Sequence, residues 1–489
     1  MNRILKKDRI PETIALIALL GWIGFQASLV LFEMRAFWLD EWFIIANLKS
    51  HTSLELWGQL DHSQQFPRLY LQILKWVSEA GHYSYTALRL VPFLVYLISL
   101  PLAWWVANFL FPDARWKVWT TFLLFLSYPT ALHYSIQVKA YTMEMLAGIA
   151  ALAQYGLWFR FLRSGKINGW ILALSLMGAL LLPFLSYSYP MALAPLLVHL
   201  VWTSRSRKAA MGLLALHLAG LAGAWFADIH QVLADSTMKS YWADKMFRAW
   251  DPESWKRLFP NLFDFLRVAG NGYAVQVVLG LLLLAGIFRC LKTKRFSDVF
   301  LLDGPNPRPF AFMAQGLGVA VLFFLMGKYP LGESRLNCIW AFSFAALAVH
   351  GLGWLEKLKI CSWLIPSLLG LLSLNAVVNF YMAGVEKVTG KDADTYDLKA
   401  YQNIKMGLEL AYRENLPVLC LPNLASRRFQ EAHPETDWIV RTNPAYIVEK
   451  PLILIPLTDT LSWKKVLHGQ KVRKAVWLSG EEVKVVDAE

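Results

Sequence analysis

INGWILALSLMGALLLPFLSYSYPMALAPLLVHLVWTS, residues 167–204, runs for 38 residues without Asp, Glu, Lys or Arg. A helix needs about 20 apolar residues to cross a hydrocarbon core of roughly 30 Å, because every backbone polar group inside lipid must be bonded within the segment. The stretch is too long for one crossing and fits two. Pro183 to Pro190 (PFLSYSYP) in its middle reads as the tip of a helical hairpin.

Further apolar runs lie on both sides. Ile10–Phe32, Leu90–Pro112, Val118–Val138 and Met145–Phe159 come before it, and Ala209–Ala227, Val268–Phe288, Phe310–Gly327, Leu336–Leu355 and Ile360–Val385 after it. With the hairpin counted as two, the expectation is an all-α polytopic bundle of eleven spans. The basic start (Arg3, Lys6, Lys7, Arg9) followed by Ile10–Phe32 has no small-residue cleavage site and reads as a retained signal anchor.

Composition agrees. Of 489 residues, 56% are apolar and 17% charged, against roughly 25% charged in an average soluble domain. Mean hydropathy is +0.39. A water-soluble globule, a disordered chain and a collagen are all excluded. The four cysteines (Cys290, Cys338, Cys361, Cys420) have no pairing rhythm and predict neither a structural disulfide nor a zinc site. The net charge of +13 is assigned to loops beside a bilayer rather than to nucleic acid, which is not an expected partner.

Lys and Arg in short connections set the orientation. Phe111–Lys117, Arg160–Lys166, Ser204–Lys208, Arg289–Arg308 and Glu356–Lys359 are basic or mixed-basic and read as cytoplasmic, as does the N-terminus. Residues 1–385 then form the membrane domain, with a first outer loop at 33–86 and a second at 228–267. Residues 386–489 read as a small extracytoplasmic α/β domain, with a helix at Leu398–Asn415 and strands at Pro417–Leu421, Trp438–Arg441, Leu452–Pro456, Val472–Leu478 and Val483–Val486. The first outer loop also carries an amphipathic helix that opens at Pro67-Arg68-Leu69-Tyr70 and lies in the interface plane.

A charge inside a bilayer costs about 2.5–3.5 kcal/mol on insertion scales, and the span centres avoid it. The conspicuous charges sit at the outer mouths: Asp40, Glu41, Arg68, Arg89, Lys139, Glu144, Lys328, Glu333 and Arg335. Asp40 and Glu41 stand among aromatics in Phe37-Trp38-Leu39-Asp40-Glu41-Trp42-Phe43. Adjacent carboxylates in apolar surroundings suit a general base, and equally Asp40 reads as the cap of a helix Glu41–Leu48. Lys139, flanked by Gln137 and Tyr141, reads either as a phosphate-binding cation or as a snorkelling lysine at a span end. Arg335 carries the same two readings. The scattered histidines, His133, His199, His217, His230 and His350, have no metal-ligand spacing. Tyr241, Trp242, Trp250 and Trp255 read first as interfacial anchors and second as sugar-stacking rings.

These features in this order resemble the type C membrane glycosyltransferases that use polyprenyl-phosphate sugars, within the protein O-mannosyltransferase and lipid A aminoarabinose transferase group. The acidic pair Asp40-Glu41 follows the first span. Phe66-Pro67-Arg68-Leu69-Tyr70 stands where members show His-Pro-Pro-Leu-Tyr, and Ala87-Leu88-Arg89-Leu90-Val91-Pro92 resembles a Leu-Arg-Leu-Pro segment. Tyr134-Ser135-Ile136-Gln137-Val138-Lys139-Ala140-Tyr141 resembles a Tyr-Ser-Gln-x-x-Arg-x-Tyr turn. Lys139 in place of Arg gives up a bidentate phosphate grip and keeps a point charge.

The resemblance implies inverting transfer of a sugar from a polyprenyl-phosphate donor to an acceptor at the extracytoplasmic face of a bacterial inner membrane. Asp40 and Glu41 would be catalytic. Lys139, Arg335, Arg68 and Arg89 would bind the donor phosphate, and Tyr70, Gln137 and Tyr141 the substrate. Some members use a divalent metal near the acidic pair, and the sequence leaves that open. The partners implied are the lipid bilayer, the lipid-linked donor and an acceptor of unspecified class. The competing classes are a polytopic transporter and a lipid-linked glycan flippase or ligase without this chemistry.

Overall fold

The structure is a computed structural model that describes residues 9–32, 39–61, 64–165, 168–204, 208–231, 243, 245–268, 273–291, 309–357, 371–372 and 374–383, with six short strands beyond residue 417. In chain order the helices are α1 (Arg9–Leu31), α2 (Leu39–Ser50), α3 (Arg68–Ala80), α4 (Tyr85–Leu110), α5 (Arg115–Ser127), α6 (Pro129–Tyr134) and α7 (Tyr141–Ser164). Then follow α8 (Gly169–Leu185), α9 (Tyr189–Ser204), α10 (Lys208–Ala224), α11 (Pro252–Lys256), α12 (Leu258–Leu266), α13 (Tyr273–Leu291), α14 (Pro309–Leu325) and α15 (Ala341–Lys357). A 3-10 turn, Ser334–Trp340, leads into α15.

Two compact units divide the chain. One comprises Met1–Gln26, Trp57–Gln59 and Gln65–Ala383, and the other Ala27–Leu56, Leu60–Gln64 and Gly384–Glu489. The first is a helical bundle whose core runs through α4 to α7, α9, α14 and α15. Four helices among the described residues are long and apolar enough to cross a membrane: Tyr85–Leu110, Tyr141–Leu162, Lys208–Ile229 and Arg335–Leu355. Others are shorter. The 17 residues of α8 reach roughly 26 Å at 1.5 Å per residue, just under the hydrocarbon thickness. Against the eleven spans expected, the described residues hold these four helices and six shorter apolar ones, and most of the run Ile360–Val385 lies outside the described residues.

The local causes are visible in the sequence. Ser84 accepts a hydrogen bond from the Ala87 N–H at 3.3 Å and caps α4, so that helix starts before Arg89 rather than after it. Val118–Val138, expected as one span, is instead α5 and α6 with an irregular turn after them. Tyr128 is extended, and Pro129 opens α6 because its missing N–H costs nothing at a first helical position. The break expected at Pro183–Pro190 is present: α8 ends at Leu185 and α9 begins at Tyr189. After α14 the chain turns at Gly327, whose φ of +66 is a left-handed conformation that glycine adopts without strain.

Among the described glycines the tightest approach is at Gly148 of α7, where a Cβ would lie 1.9 Å from the Ile339 carbonyl oxygen. Helix and 3-10 turn thus meet backbone to backbone. In the second unit, Asn47 on α2 donates to the Phe43 carbonyl at 2.7 Å and accepts from the Asp61 N–H at 2.8 Å. Its strands are β1 (Val418–Cys420), β2 (Ile447–Val448), β3 (Leu452–Ile455), β4 (Lys471–Val472), β5 (Lys474–Ser479) and β6 (Glu482–Asp487). They form a sheet of order β1-β3-β5-β6 and a separate β2-β4 pair. All pairings are parallel except the β5–β6 hairpin. The helix expected at Leu398–Asn415 and the strand at Trp438–Arg441 lie outside the described residues.

Gly148→Ala must push the Ser334–Trp340 turn off α7. Overpacking of this kind costs about 1–3 kcal/mol. Thermal unfolding of the purified variant in detergent should show a lowered midpoint, and an unchanged midpoint would mean that the two backbones are not in contact.

Candidate functional site

Between α6 and α7 the chain makes a compact turn, Ser135 to Ala140, that its neighbours hold from two sides. The Lys139 N–H donates to the Gln137 carbonyl at 2.7 Å, a closure over three residues. Tyr70 of α3 donates its hydroxyl to the Lys139 carbonyl at 3.3 Å. Arg89 of α4 donates Nη1 to the Ile136 carbonyl at 2.6 Å. The Arg89 guanidinium also lies over the Tyr85 ring, 4.8 Å from its centroid. Gln137 Nε2 is 2.9 Å from His133 Nε2, and the rings of Tyr134 and Tyr141 are 4.4 Å apart. Burial holds the Tyr70 phenol well above its ordinary range, so it remains a donor. Five of the residues singled out in the sequence, Tyr70, Arg89, Gln137, Lys139 and Tyr141, are thus gathered at one turn. Lys139 and Gln137 are themselves buried there.

Arg68 sits in a second constellation that reaches across the sequence. Its Nε is 3.1 Å from Asp228 Oδ1, with both side chains almost fully buried. The Arg68 backbone N–H donates to Asp228 Oδ2 at 3.2 Å. The Tyr187 hydroxyl lies 2.9 Å from each Asp228 oxygen and 2.7 Å from the Phe66 carbonyl. Burial first, and then the Asp228 carboxylate, hold that phenol well above its usual range. Arg68 Nη1 finds no hydrogen-bond acceptor among the described residues.

The same Tyr187 belongs to a third cluster at the hairpin tip. Its backbone N–H donates to Glu144 Oε1 at 3.0 Å, while Ser186 Oγ donates to Glu144 Oε2 at 2.5 Å and the Ser188 N–H at 3.3 Å. A carboxylate in the first turn of α7 therefore takes up the N–H groups that lead into α9, which have no partner inside that helix. Sequence reasoning missed this arrangement. Glu144 was only a charge at a span mouth and Asp228 only a loop boundary. The usable signal was that each is an acid directly abutting an apolar run, Met145–Phe159 and Ala209–Ala227.

Arg335 lies in the turn that leads into α15. Its Nε is 3.5 Å from Glu333 Oε2, and Lys245 Nζ pairs with the other Glu333 oxygen. Asn337 donates to the carbonyls of Leu331 at 2.7 Å and Glu333 at 2.9 Å and so stitches the turn. α6 and α7, which flank the Lys139 turn, both pack against the 3-10 turn that carries Arg335. The acidic pair belongs to the other unit. α2 begins at Leu39, so Asp40 stands inside its first turn rather than before a helix at Glu41, and Glu41 is fully buried.

Among the described residues no group of three His, Cys, Asp or Glu is placed to hold a metal ion. The oxygens of Glu144 are taken by Ser186, Tyr187 and Ser188, and those of Asp228 by Arg68 and Tyr187.

No family model and no curated protein matches the sequence. Among solved structures the chain is similar to the archaeal oligosaccharyltransferase AglB from Archaeoglobus fulgidus in complex with an inhibitory peptide and a dolichol-phosphate. Identity is 13% and the TM-score 0.47, over 87% of this chain and 64% of that one. It is also similar to the apo form of the Archaeoglobus fulgidus oligosaccharyltransferase, at 13% identity and TM-score 0.47, over 94% of this chain and 63% of that one. The complex of that protein with Zn and sulfate gives 13% and 0.44, over 89% and 57%. The chain thus spans less than two thirds of the length of these neighbours.

Breaking one side of a buried ion pair costs about 3–5 kcal/mol, because the other charge is left unanswered. Asp228→Leu and Arg68→Met should each lower the thermal midpoint strongly, and the double variant Arg68→Met/Asp228→Leu should recover part of the loss. Additive losses in the double variant would show that the two charges do not interact.

Proposed function

We propose that the chain is a membrane glycosyltransferase that moves a sugar from a polyprenyl-phosphate carrier to an acceptor at the extracytoplasmic face, with inversion at the anomeric carbon. The observation that carries this reading is the Lys139 turn. A buried cation is set on a backbone fixed by Tyr70 and Arg89, within the segment that resembles the glycosyltransferase turn. A second support is Arg68, whose Nη1 meets no hydrogen-bond acceptor among the described residues.

In this mechanism the acceptor nucleophile bonds to the anomeric carbon as the bond to the phosphate oxygen breaks. The electron pair leaves with the lipid phosphate, which gains negative charge. Lys139 and Arg335 neutralise that charge, and Arg68 contributes its remaining donor. Arg89 helps through its hold on Ile136, which fixes the turn. Asp40 takes the proton of the acceptor or orients it, and Glu41 supports Asp40. Gln137, Tyr70 and Tyr141 shape the wall against which the donor headgroup rests. Cations prearranged in a water-poor site act without reorganising during the reaction, and losing one such donor typically costs 10²–10³ in rate, roughly 3–4 kcal/mol.

Lys139→Ala is expected to lower sugar transfer from a prenyl-phosphate donor by about 10²-fold, with Lys139→Arg retaining most of it because the charge persists. Asp40→Asn is expected to abolish transfer while the protein remains folded and inserted. Donor consumption by the purified variants in lipid nanodiscs measures both. Wild-type turnover by Asp40→Asn would remove the proposed base, and equal losses in Lys139→Ala and Lys139→Arg would remove the point-charge role.

A further inference from the structure

The segment around α11 and α12 presents aromatic rings to the outside that the proposed reaction does not use. Trp250 is 84% exposed, Trp255 53%, Phe259 69% and Phe263 37%. Arg257 between the two short helices keeps a right-handed helical backbone, so the steps from Trp255 to Phe259 to Phe263 put three rings on one face. The segment is fastened to the bundle at the edge of that face and behind it. Phe247 packs edge-on against Trp255 at 5.0 Å and tilts against Phe324 at 5.4 Å, and the buried Phe265 meets Phe344 edge-on at 4.9 Å.

We propose that Trp250 to Phe263 is a membrane-interface anchor, with its aromatic face seated at the headgroup–acyl boundary of a phospholipid bilayer. The first argument is continuity. α12 packs on α13, whose exposed face of Val277, Leu281, Leu284 and Phe288 follows helical spacing in an apolar helix, a surface suited to lipid. The aromatic face extends that surface. The second argument is charge. Lys256 pairs with Glu253 at 2.5 Å, Arg257 with Asp251 at 3.7 Å and Arg267 with Asp264 at 3.2 Å. A segment whose charges are answered internally has little left for anionic headgroups, so its binding comes from aromatic burial. It is therefore indifferent to lipid charge and to salt. The position has a consequence for the bundle: Asn261 of α12 packs so closely on Gly332 that a Cβ there would lie 2.3 Å from Asn261 Oδ1. The anchor thus abuts the turn that carries Arg335.

The test places nitroxide labels on Phe259→Cys, Phe263→Cys and Glu253→Cys, each on a background without the native cysteines, in full-length protein in phosphatidylcholine nanodiscs. Collision accessibility to oxygen should exceed that to a nickel chelate several-fold at 259 and 263 and be reversed at 253. The pattern should stay the same with phosphatidylglycerol or 0.5 M salt added, about the level at which surface charge is screened within a few ångströms. Nickel access at 259 would make it a water-facing site open to sugars, and exclusion of both reagents would mean that protein covers it. Either result overturns the proposal. Wild-type protein labelled by a phosphatidylcholine with a headgroup diazirine should carry adducts between residues 250 and 263, and their absence also overturns it.

Discussion

A charge inside so apolar a bundle persists only where other groups answer it, and Tyr187 is where two buried acids are answered at once. Its N–H serves Glu144 and its hydroxyl serves Asp228. Through Asp228 it reaches Arg68 and the start of α3. The hairpin tip, the amphipathic helix and the head of α7 are thereby tied at one residue. Each bond to a charged group contributes about 1.5–3 kcal/mol where both partners are dry, so this node outweighs many apolar contacts. The Lys139 turn leads directly into α7, whose first turn carries Glu144.

The candidate site is backbone held by side chains more than side chains held by backbone. Tyr70 and Arg89 spend their donors on the carbonyls of Lys139 and Ile136. The cost of burying the Arg89 guanidinium is met by a strong carbonyl contact and an aromatic face. Under the proposed function, a backbone fixed in this way would carry the Lys139 cation to a leaving phosphate without first reorganising the turn.

Much of the bundle was legible because the bilayer imposes one rule, and runs such as Ile167–Ser204 obey it. Pro183 and Pro190 marked the tip, and Pro67 marked the start of α3. The break at Tyr128–Pro129 was equally readable, since a residue before proline is pushed out of the helical region, yet the absence of charge from Val118 to Val138 hid it. Partnerships were not legible. Arg68 and Asp228 are 160 positions apart and Glu144 and Ser186 are 42 apart; no local pattern specifies which buried acid will meet which donor. A motif of tyrosines, Gln137 and Lys139 announced the turn at 134–141, whereas the residues that fix it came from two other helices.

The most direct measurement is photo-crosslinking of the wild-type protein in nanodiscs with a polyprenyl phosphate carrying a photoreactive group on its first isoprene unit, mapped by peptide mass spectrometry. The account predicts adducts within residues 133–141 that an excess of unmodified polyprenyl phosphate suppresses. Adducts confined to other segments, or adducts at 133–141 that the phosphate-free polyprenol competes equally well, would contradict it.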